Sequence, residues 1–399
     1  MAVGERQRAE ELLERTDSLV PLLRAGARET ERASRVAPQC LSAIADAGVF
    51  KMTAPLEAGG YQLPVTTQVD VLAALARGCG STSWVCAVYS VGIWLAGNFS
   101  DAIQEEVFAQ PDVRITVVGA PTGRLTRDAA GAYRLNGRWG FNTGCLDGHY
   151  AIAGALREGG ASGGEAEPDA VLAIVPYEHL QLADDWDVSG LAGTGSRTIT
   201  ADDVPLSEDH LWPMAEAQAG VRRSARHRDD PYWRTIIGPY ITANSAGTPL
   251  GLAQAALEHY LEGLTPPRPM TLTSYADRSQ AAITHLQVGE AATAVEAAAF
   301  HARRCAEAVD SHCASGEPYT MLERARIRSD VGRVTGLARS AAHLLWQGSG
   351  ASAISRDAPI QRIVRDIDAL AQHAVMNPDT NIELYGRVLC GLEPHTEAL

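Results

Sequence analysis

The residues that could carry chemistry are few and scattered. His301 and Cys305 stand at i and i+4, and His312-Cys313 follow on the same stretch. Two His and two Cys form a zinc-type donor set. The stretch is rich in alanine, however, and no CxxC pair or paired carboxylate accompanies it. These four are therefore read as helix residues and not as a metal site. Cys145 lies four residues before His149. Positions four apart on a strand share a face, so a thiol–imidazole contact is conceivable, and a buried thiol beside a loop is the competing reading. There is no G-x-S-x-G elbow, no phosphate-cradling G-x-x-x-x-G-K-[ST], and no G-x-G-x-x-G opening a helix. Gly193-Thr-Gly-Ser196 is glycine-rich but precedes a strand. Spacing alone names no reaction.

The elements that must position these groups are legible in the periodicity. Ala9, Leu12, Leu13, Thr16, Leu19, Val20 and Leu23 recur at helical spacing and predict one apolar stripe. Pro38 can open a second helix, with Leu41, Ile44 and Ala45 on one face, before Gly48 stops it. Residues 54–60 form a loop, and 71–95 a buried helical stretch broken near 78–82. From Val113 the period becomes two: Val113, Ile115 and Val117 alternate with Arg114 and Thr116, as on a strand with one buried face. Residues 133–135 and 138–141 flank Asn136-Gly137, a hairpin signal. Residues 158–164 read as a flexible loop, 171–175 as a buried strand and 198–200 as a short strand. Four long helical segments follow, 249–264, 280–310, 321–347 and 359–376, the second so rich in alanine that helix axes can approach closely. Short loops between long helices predict a bundle. The class is α+β: an N-terminal helical domain over residues 1–112, a central β-domain over 113–215 and a C-terminal four-helix bundle over 216–399.

Charge bounds the partners. A net charge of −14 argues against nucleic acid or an anionic membrane surface. The basic run Arg222, Arg223, Arg226 and Arg228 is read as a solvated loop. No apolar run approaches the ~18 residues of a membrane span, and the charged start reads as a helix and not as a signal peptide. Seven scattered cysteines without a CxxC pair read as the reduced thiols of a cytoplasmic protein.

Several segments, in order, resemble the acyl-CoA dehydrogenase superfamily and cover nearly the whole chain. Pro55-Leu-Glu-Ala-Gly-Gly60 resembles its P-x-x-x-G-G loop, and Asn136-Gly-Arg-Trp-Gly-Phe-Asn-Thr-Gly144 its G-x-K-x-W-I-T-N-G strand. Leu191-Ala-Gly-Thr-Gly-Ser196 resembles its G-x-R-G-T-G-S segment, and Arg365-Asp366 the R-D near the end of its bundle. Within the superfamily, Gly80-Ser-Thr-Ser-Trp84, the Trp-x-Phe-x-Thr-Gly strand and the ending over 383–394 are similar to the two-component flavin monooxygenases, which include 4-hydroxyphenylacetate and polyketide-tailoring hydroxylases. Many dehydrogenases carry a base Glu eight residues after the Asp of R-D. Here that residue is Ala374, which cannot accept a proton and so favours the oxygenase branch.

The resemblance implies an acyl-CoA dehydrogenase fold and an oxygenase component that receives reduced FMN, or FAD, from a separate reductase. It implies hydroxylation of an aromatic, polyketide-type small molecule of the kind met in antibiotic biosynthesis, by a homotetramer. The alternatives are N-oxygenation of an amine or amino sugar, acyl-thioester dehydrogenation, and an inert flavin-binding protein. In the family's Q-H pair, here Gln372-His373, the imidazole contacts the substrate phenol and could act as a base. Thr143 would meet N5 of the flavin, backbone N–H groups from Asn142 through Gly144 to Cys145 its pyrimidine edge, and Phe141 its ring face. Trp94 is a pocket wall or core. Arg278, preceded by Tyr275, is the candidate for the flavin phosphate. The second His of phenol hydroxylases is replaced by Gly92, which would leave room for a bulkier substrate.

Overall fold

The apolar stripe of the first thirty residues winds into α1 (Val3–Ala33), with Ala9, Leu12, Thr16, Val20 and Leu23 on its buried side. The computed structural model describes residues 3–128, 131–159, 168–396 and 399. Pro38 at the first turn and a left-handed Gly48 at the end bound α2 (Pro38–Ala47), as expected of those residue types. Next come α3 (Val65–Gly78), α4 (Gly80–Ala96) and α5 (Asp101–Phe108), the last capped by the Ser100 hydroxyl. Almost every residue of α4 is buried, so this helix forms the centre of the molecule and not one of its faces.

The middle of the chain is a seven-stranded sheet of order β5-β6-β2-β1-β3-β4-β7. Its strands are β1 (Ile115–Arg127), β2 (Tyr133–Trp139), β3 (Tyr150–Arg157), β4 (Asp169–Pro176), β5 (Gln181–Leu182), β6 (Ile199–Leu206) and β7 (Leu211–Pro213). β1 and β3 run parallel, and the other pairs are antiparallel. From residue 160 on, the expected loop over 158–164 lies outside the described residues.

Two expectations for this region are corrected. Asn136-Gly137 is not a hairpin turn but lies inside β2, at a register shift against β6. The reason is Trp139. Its indole donates to the Gly154 carbonyl at 2.7 Å, and its ring covers the places where Cβ atoms on Gly123 and Gly137 would stand. The glycine thus admits a ring, while Asn136 Oδ1 accepts from the Asp203 amide. The alternation at the start of β1 also fails, because Thr116 is fully buried and Val117 only partly so. Thr116 turns inward to hydrogen-bond the Tyr177 hydroxyl at 2.8 Å.

The remaining helices are α6 (Met214–Gln218), α7 (Ile237–Asn244), α8 (Gly247–Glu262), α9 (Ala282–Ser315), α10 (Met321–Gly348), α11 (Pro359–Leu370) and α12 (Pro378–Leu389). Buried Ala291, Ala298 and Ala302 let α9 lie close to its neighbours, and a Thr320–Glu323 capping box opens α10. The fourth predicted helix is shorter than expected. It ends at Leu370, and α12 follows after a turn that holds Gln372, His373 and Ala374. Asn377 caps α12 through its side chain, and Pro378 occupies the first turn of that helix. Those signals break the stretch in two.

Candidate active site at helix α4

Three segments meet α4. The first is the turn after β2, which the sequence reading took as a continuing strand. β2 ends at Trp139, and Phe141 turns the chain away at φ +57°. Tyr89 of α4, fully buried, donates its hydroxyl to the Gly144 carbonyl at 2.6 Å. A Cβ on Gly144 would lie 2.7 Å from that hydroxyl, so glycine at φ +78° lets the turn close over Tyr89. The second is the loop before β6. Gly193 lies against Ser81, and the Thr194 carbonyl accepts from the Gly144 amide at 3.0 Å. The third is the turn after α11, where the His373 ring meets Trp84 edge-on with centroids 5.2 Å apart.

Within the first turn, Asn142 is buried. Its Oδ1 accepts from the Tyr177 hydroxyl at 2.8 Å, and its Nδ2 has no partner. Thr143 hydrogen-bonds Ser196 at 2.9 Å, and Ser196 hydrogen-bonds Thr194 at 2.7 Å. The expectation that the amides over 142–145 face a ligand is corrected for three of the four. Asn142 N–H donates to Arg197 O, Gly144 N–H to Thr194 O, and Cys145 N–H to Asn142 O. The turn spends two of these donors on the loop before β6 and one on itself. Phe141, expected as a ring-packing residue, is 77% exposed, with its edge on Trp186.

His373 is open to solvent on one side, yet protein crowds it closely enough that burial, aided by Arg328, lowers its pKa to about 4. That combination describes a group in the wall of a recess. Its Nδ1 accepts from the Val375 amide at 3.2 Å. The neutral ring therefore carries its proton on Nε2. Asp366 of the R-D pair is buried. The Leu191 amide donates to its Oδ1 at 2.6 Å, and burial pushes the carboxyl up to about 6. Arg365 reaches Glu31 at 2.5 Å and the Ser189 carbonyl. The R-D pair thus ties α11 to α1 and to the loop before β6.

The other candidates stand elsewhere. Trp94 is core: it stacks on Tyr240 at 3.9 Å and Trp233 at 6.4 Å and is 1% exposed, which removes it as a pocket wall. Gly92 leaves no room for substrate, because the position of a Cβ is taken by the Ile115 carbonyl oxygen, 2.2 Å away. Arg278 donates to the Gly263 carbonyl and lies over the Tyr260 ring, and no described contact brings it to the Phe141–Gly144 turn. Cys145 donates to the Gly195 carbonyl and is pushed up to about 11 by burial, while both nitrogens of His149 engage Arg114, so the two do not meet. His301 pairs with Asp330 at 2.8 Å, and Cys305 bonds within its own helix. A separate cavity of about 490 Å³ is lined by Tyr232, Tyr240, Asp310 and Cys313 and contains none of the site residues. Its Asp310 is occupied in capping α3 through the Val65 and Thr66 amides. Sequence reading missed Tyr89, Asn142's partner Tyr177, and Trp186, for which no local signal exists. Ser196, Trp84 and Asp366 lay inside quoted motifs without an assigned role.

The side chains of the Phe141 turn are of the types that would hold a flat heteroaromatic ring with one polar edge. Phe141 stands exposed in a strained conformation, the next residue Asn142 carries an orphaned amide nitrogen, and Thr143 opens a chain of hydroxyls. These side chains suit a flavin, with Phe141, Asn142 and Thr143 as the residues that would hold it. The acyl-CoA dehydrogenase N-terminal domain matches residues 17–110, and the acyl-CoA dehydrogenase C-terminal domain matches residues 243–378. The oxygenase subunit HsaA of a flavin-dependent monooxygenase from Rhodococcus jostii (strain RHA1) is 30% identical over 97% of this chain and 100% of its own length. The oxygenase component of an FADH2-dependent resorcinol hydroxylase from Rhizobium sp. (strain MTP-10005) is 28% identical over 96% of this chain and 95% of its own. Among solved structures, XiaF from Streptomyces sp. in complex with FADH2 and glycerol superposes with a TM-score of 0.91, at 29% identity over 99% of each chain. By fold and relatives alike, this chain belongs to the acyl-CoA dehydrogenase superfamily, in the branch of oxygenase components of two-component flavin-dependent monooxygenases.

Proposed function

We propose that the chain takes reduced flavin from a separate reductase and, with O2, hydroxylates a phenolic small molecule whose oxygen meets His373. The observation that carries this reading is the state of the imidazole: neutral, occupied at Nδ1, with Nε2 unpartnered among the described residues, beside Trp84. The base anticipated from sequence becomes a donor. A ring whose pKa is near 4 is a poor acceptor for a phenolic proton, whereas Nε2–H can hydrogen-bond a phenolate oxygen. That bond favours the electron-rich form of the ring that receives oxygen. Bound reduced flavin supplies the two electrons with which O2 delivers one atom to the substrate and the other to water.

The relatives' names support reduced FAD ahead of FMN, since the resorcinol hydroxylase and the XiaF complex both specify FADH2. The resorcinol enzyme also supports a phenolic ring, and a polyketide-type phenol is the finer assignment. Arg278, held over the Tyr260 ring, is assigned to the flavin phosphate of a neighbouring copy of the chain, in keeping with the homotetramer the resemblance implies.

The test is to compare His373→Ala with His373→Gln, measuring hydroxylation of a phenol panel with chemically reduced FAD and titrating flavin separately. Alanine should cost about a hundredfold in turnover at unchanged flavin affinity. Glutamine keeps an N–H donor and should lose markedly less. Equal losses in the two variants would sink the donor role, and full activity in both would remove His373 from the substrate.

A further inference from the structure

Three buried hydroxyls form a line that ends on a backbone carbonyl. Thr143 Oγ1 lies 2.9 Å from Ser196 Oγ, and Ser196 Oγ lies 2.7 Å from Thr194 Oγ1. Thr194 Oγ1 donates to the Leu191 carbonyl at 2.8 Å. All three residues are buried. Each hydroxyl has one proton, and a carbonyl can only accept, so the polarity of the whole line follows from its end. The Thr194 proton points to Leu191, Ser196 must then donate to Thr194, and Thr143 must donate to Ser196. Thr143 therefore presents only lone pairs away from the chain. The terminal carbonyl is itself held in place. Leu191 sits at φ +52° with its amide fixed by Asp366, and its carbonyl also accepts from the Thr194 amide at 3.0 Å.

We infer that Ser196 and Thr194 are positioning residues that set Thr143 as an obligate acceptor and so make the site selective for the reduced state of its cofactor. The inference rests on the reading that Thr143 meets the N5 edge of a flavin. A reduced flavin carries an N–H at that position, which a Thr143 lone pair can accept. An oxidised flavin carries a lone pair there, which would oppose another lone pair. A freely rotating hydroxyl would serve both states, whereas one whose proton is committed serves only the first. An oxygenase component that receives reduced flavin from elsewhere gains by this, because spent oxidised flavin is released and does not block the site.

The test is the ratio of dissociation constants for oxidised and reduced FAD, measured anaerobically by calorimetry on the intact protein, with no turnover involved. Ser196→Ala and Thr194→Val each free the Thr143 proton to rotate. Both should lower the ratio by about tenfold, chiefly by tightening oxidised FAD, as expected for one hydrogen bond gained in place of a mismatch. Damage to the loop would weaken both states together and leave the ratio unchanged, which counts against the inference. Thr143→Val separates the two layers of the argument. If it weakens reduced FAD while the other variants keep the wild-type ratio, the polarity argument is overturned and the Thr143 contact stands. If Thr143→Val moves neither affinity, the contact itself is wrong, and the inference falls with it.

Discussion

Placing a single methyl group at position 92 tests whether α4 is seated against β1 as tightly as the geometry requires. A Cβ on Gly92 would lie 2.2 Å from the Ile115 carbonyl oxygen, 2.8 Å from the carbonyl carbon and 2.9 Å from the Ile115 Cβ. Ordinary contact begins near 3.4 Å, so helix and strand would have to part by about 1 Å, a displacement of the overpacking kind. Overpacking costs about 1–3 kcal/mol when side chains can yield. The opposing atoms here are mostly backbone, and Ile115 is fully buried, so the expected cost of Gly92→Ala is about 3 kcal/mol or more. The shift also moves Tyr89, one turn earlier on α4, and with it the 2.6 Å bond to the Gly144 carbonyl. Flavin affinity should therefore fall together with stability. Urea unfolding and reduced-FAD titration measure the two effects. Gly119→Ala is the control, because nothing lies within 4 Å of a Cβ there. By the same argument, Gly92→His cannot restore the second imidazole of the phenol hydroxylases. If Gly92→Ala unfolds with wild-type stability and binds flavin normally, position 92 does have space, and the steric reasoning fails.

Two further perturbations probe the groups around the site. Burial holds Asp366 at about 6 against an unfolded value near 3.9, so the folded state binds more protons between those values and stability falls as pH rises through that window. The loss amounts to ~3 kcal/mol above pH 6. Asp366→Asn keeps an oxygen for the Leu191 amide and should remove this slope in urea unfolding between pH 4 and 7. A variant with the wild-type slope would show that another group titrates. Phe141→Gly relieves the φ +57° strain and deletes the exposed ring, so stability should hold while reduced-flavin affinity drops about tenfold. Unchanged affinity would mean that the ring is no ledge for the cofactor.

The helices were legible because their signals are local. Pro38 and Gly48 bound α2, and the α1 stripe is buried where its spacing put it. Most failures trace to a side chain or backbone group whose packing the local pattern does not announce. Asn136-Gly137 reads as a hairpin until Trp139 is seen to need the space above Gly137 and Gly123. Gly92 reads as an open seat until Ile115 is found to fill it. The tautomer of His373 is set by Val375, two residues away, but the recess around it depends on Trp84 and Arg328. The motif resemblance marked residues 136–144 as a strand, whereas β2 ends at Trp139 and a turn follows. It did not show that the turn spends its own amides, since those bonds run to Arg197 and Thr194.

The N-terminal helices then have a reason to exist that neither the sheet nor the bundle supplies. Thr143 belongs to the sheet's end of the chain and His373 to the bundle's end, and no hydrogen bond joins them among the described residues. Both are referred to α4. Ser81 abuts the Gly193 loop, Trp84 meets His373, Tyr89 holds Gly144, and Gly92 seats the helix on β1. At ~1.5 Å per residue these contacts span about 16 Å of one rigid helix. Almost every residue of that helix is buried, so it cannot move without opening the core. The distance between the imidazole and the hydroxyl chain is thus set by a third element that carries neither. It follows that changes which tilt α4 should disturb flavin and substrate handling together, whereas changes at Ser196 or His373 should separate them.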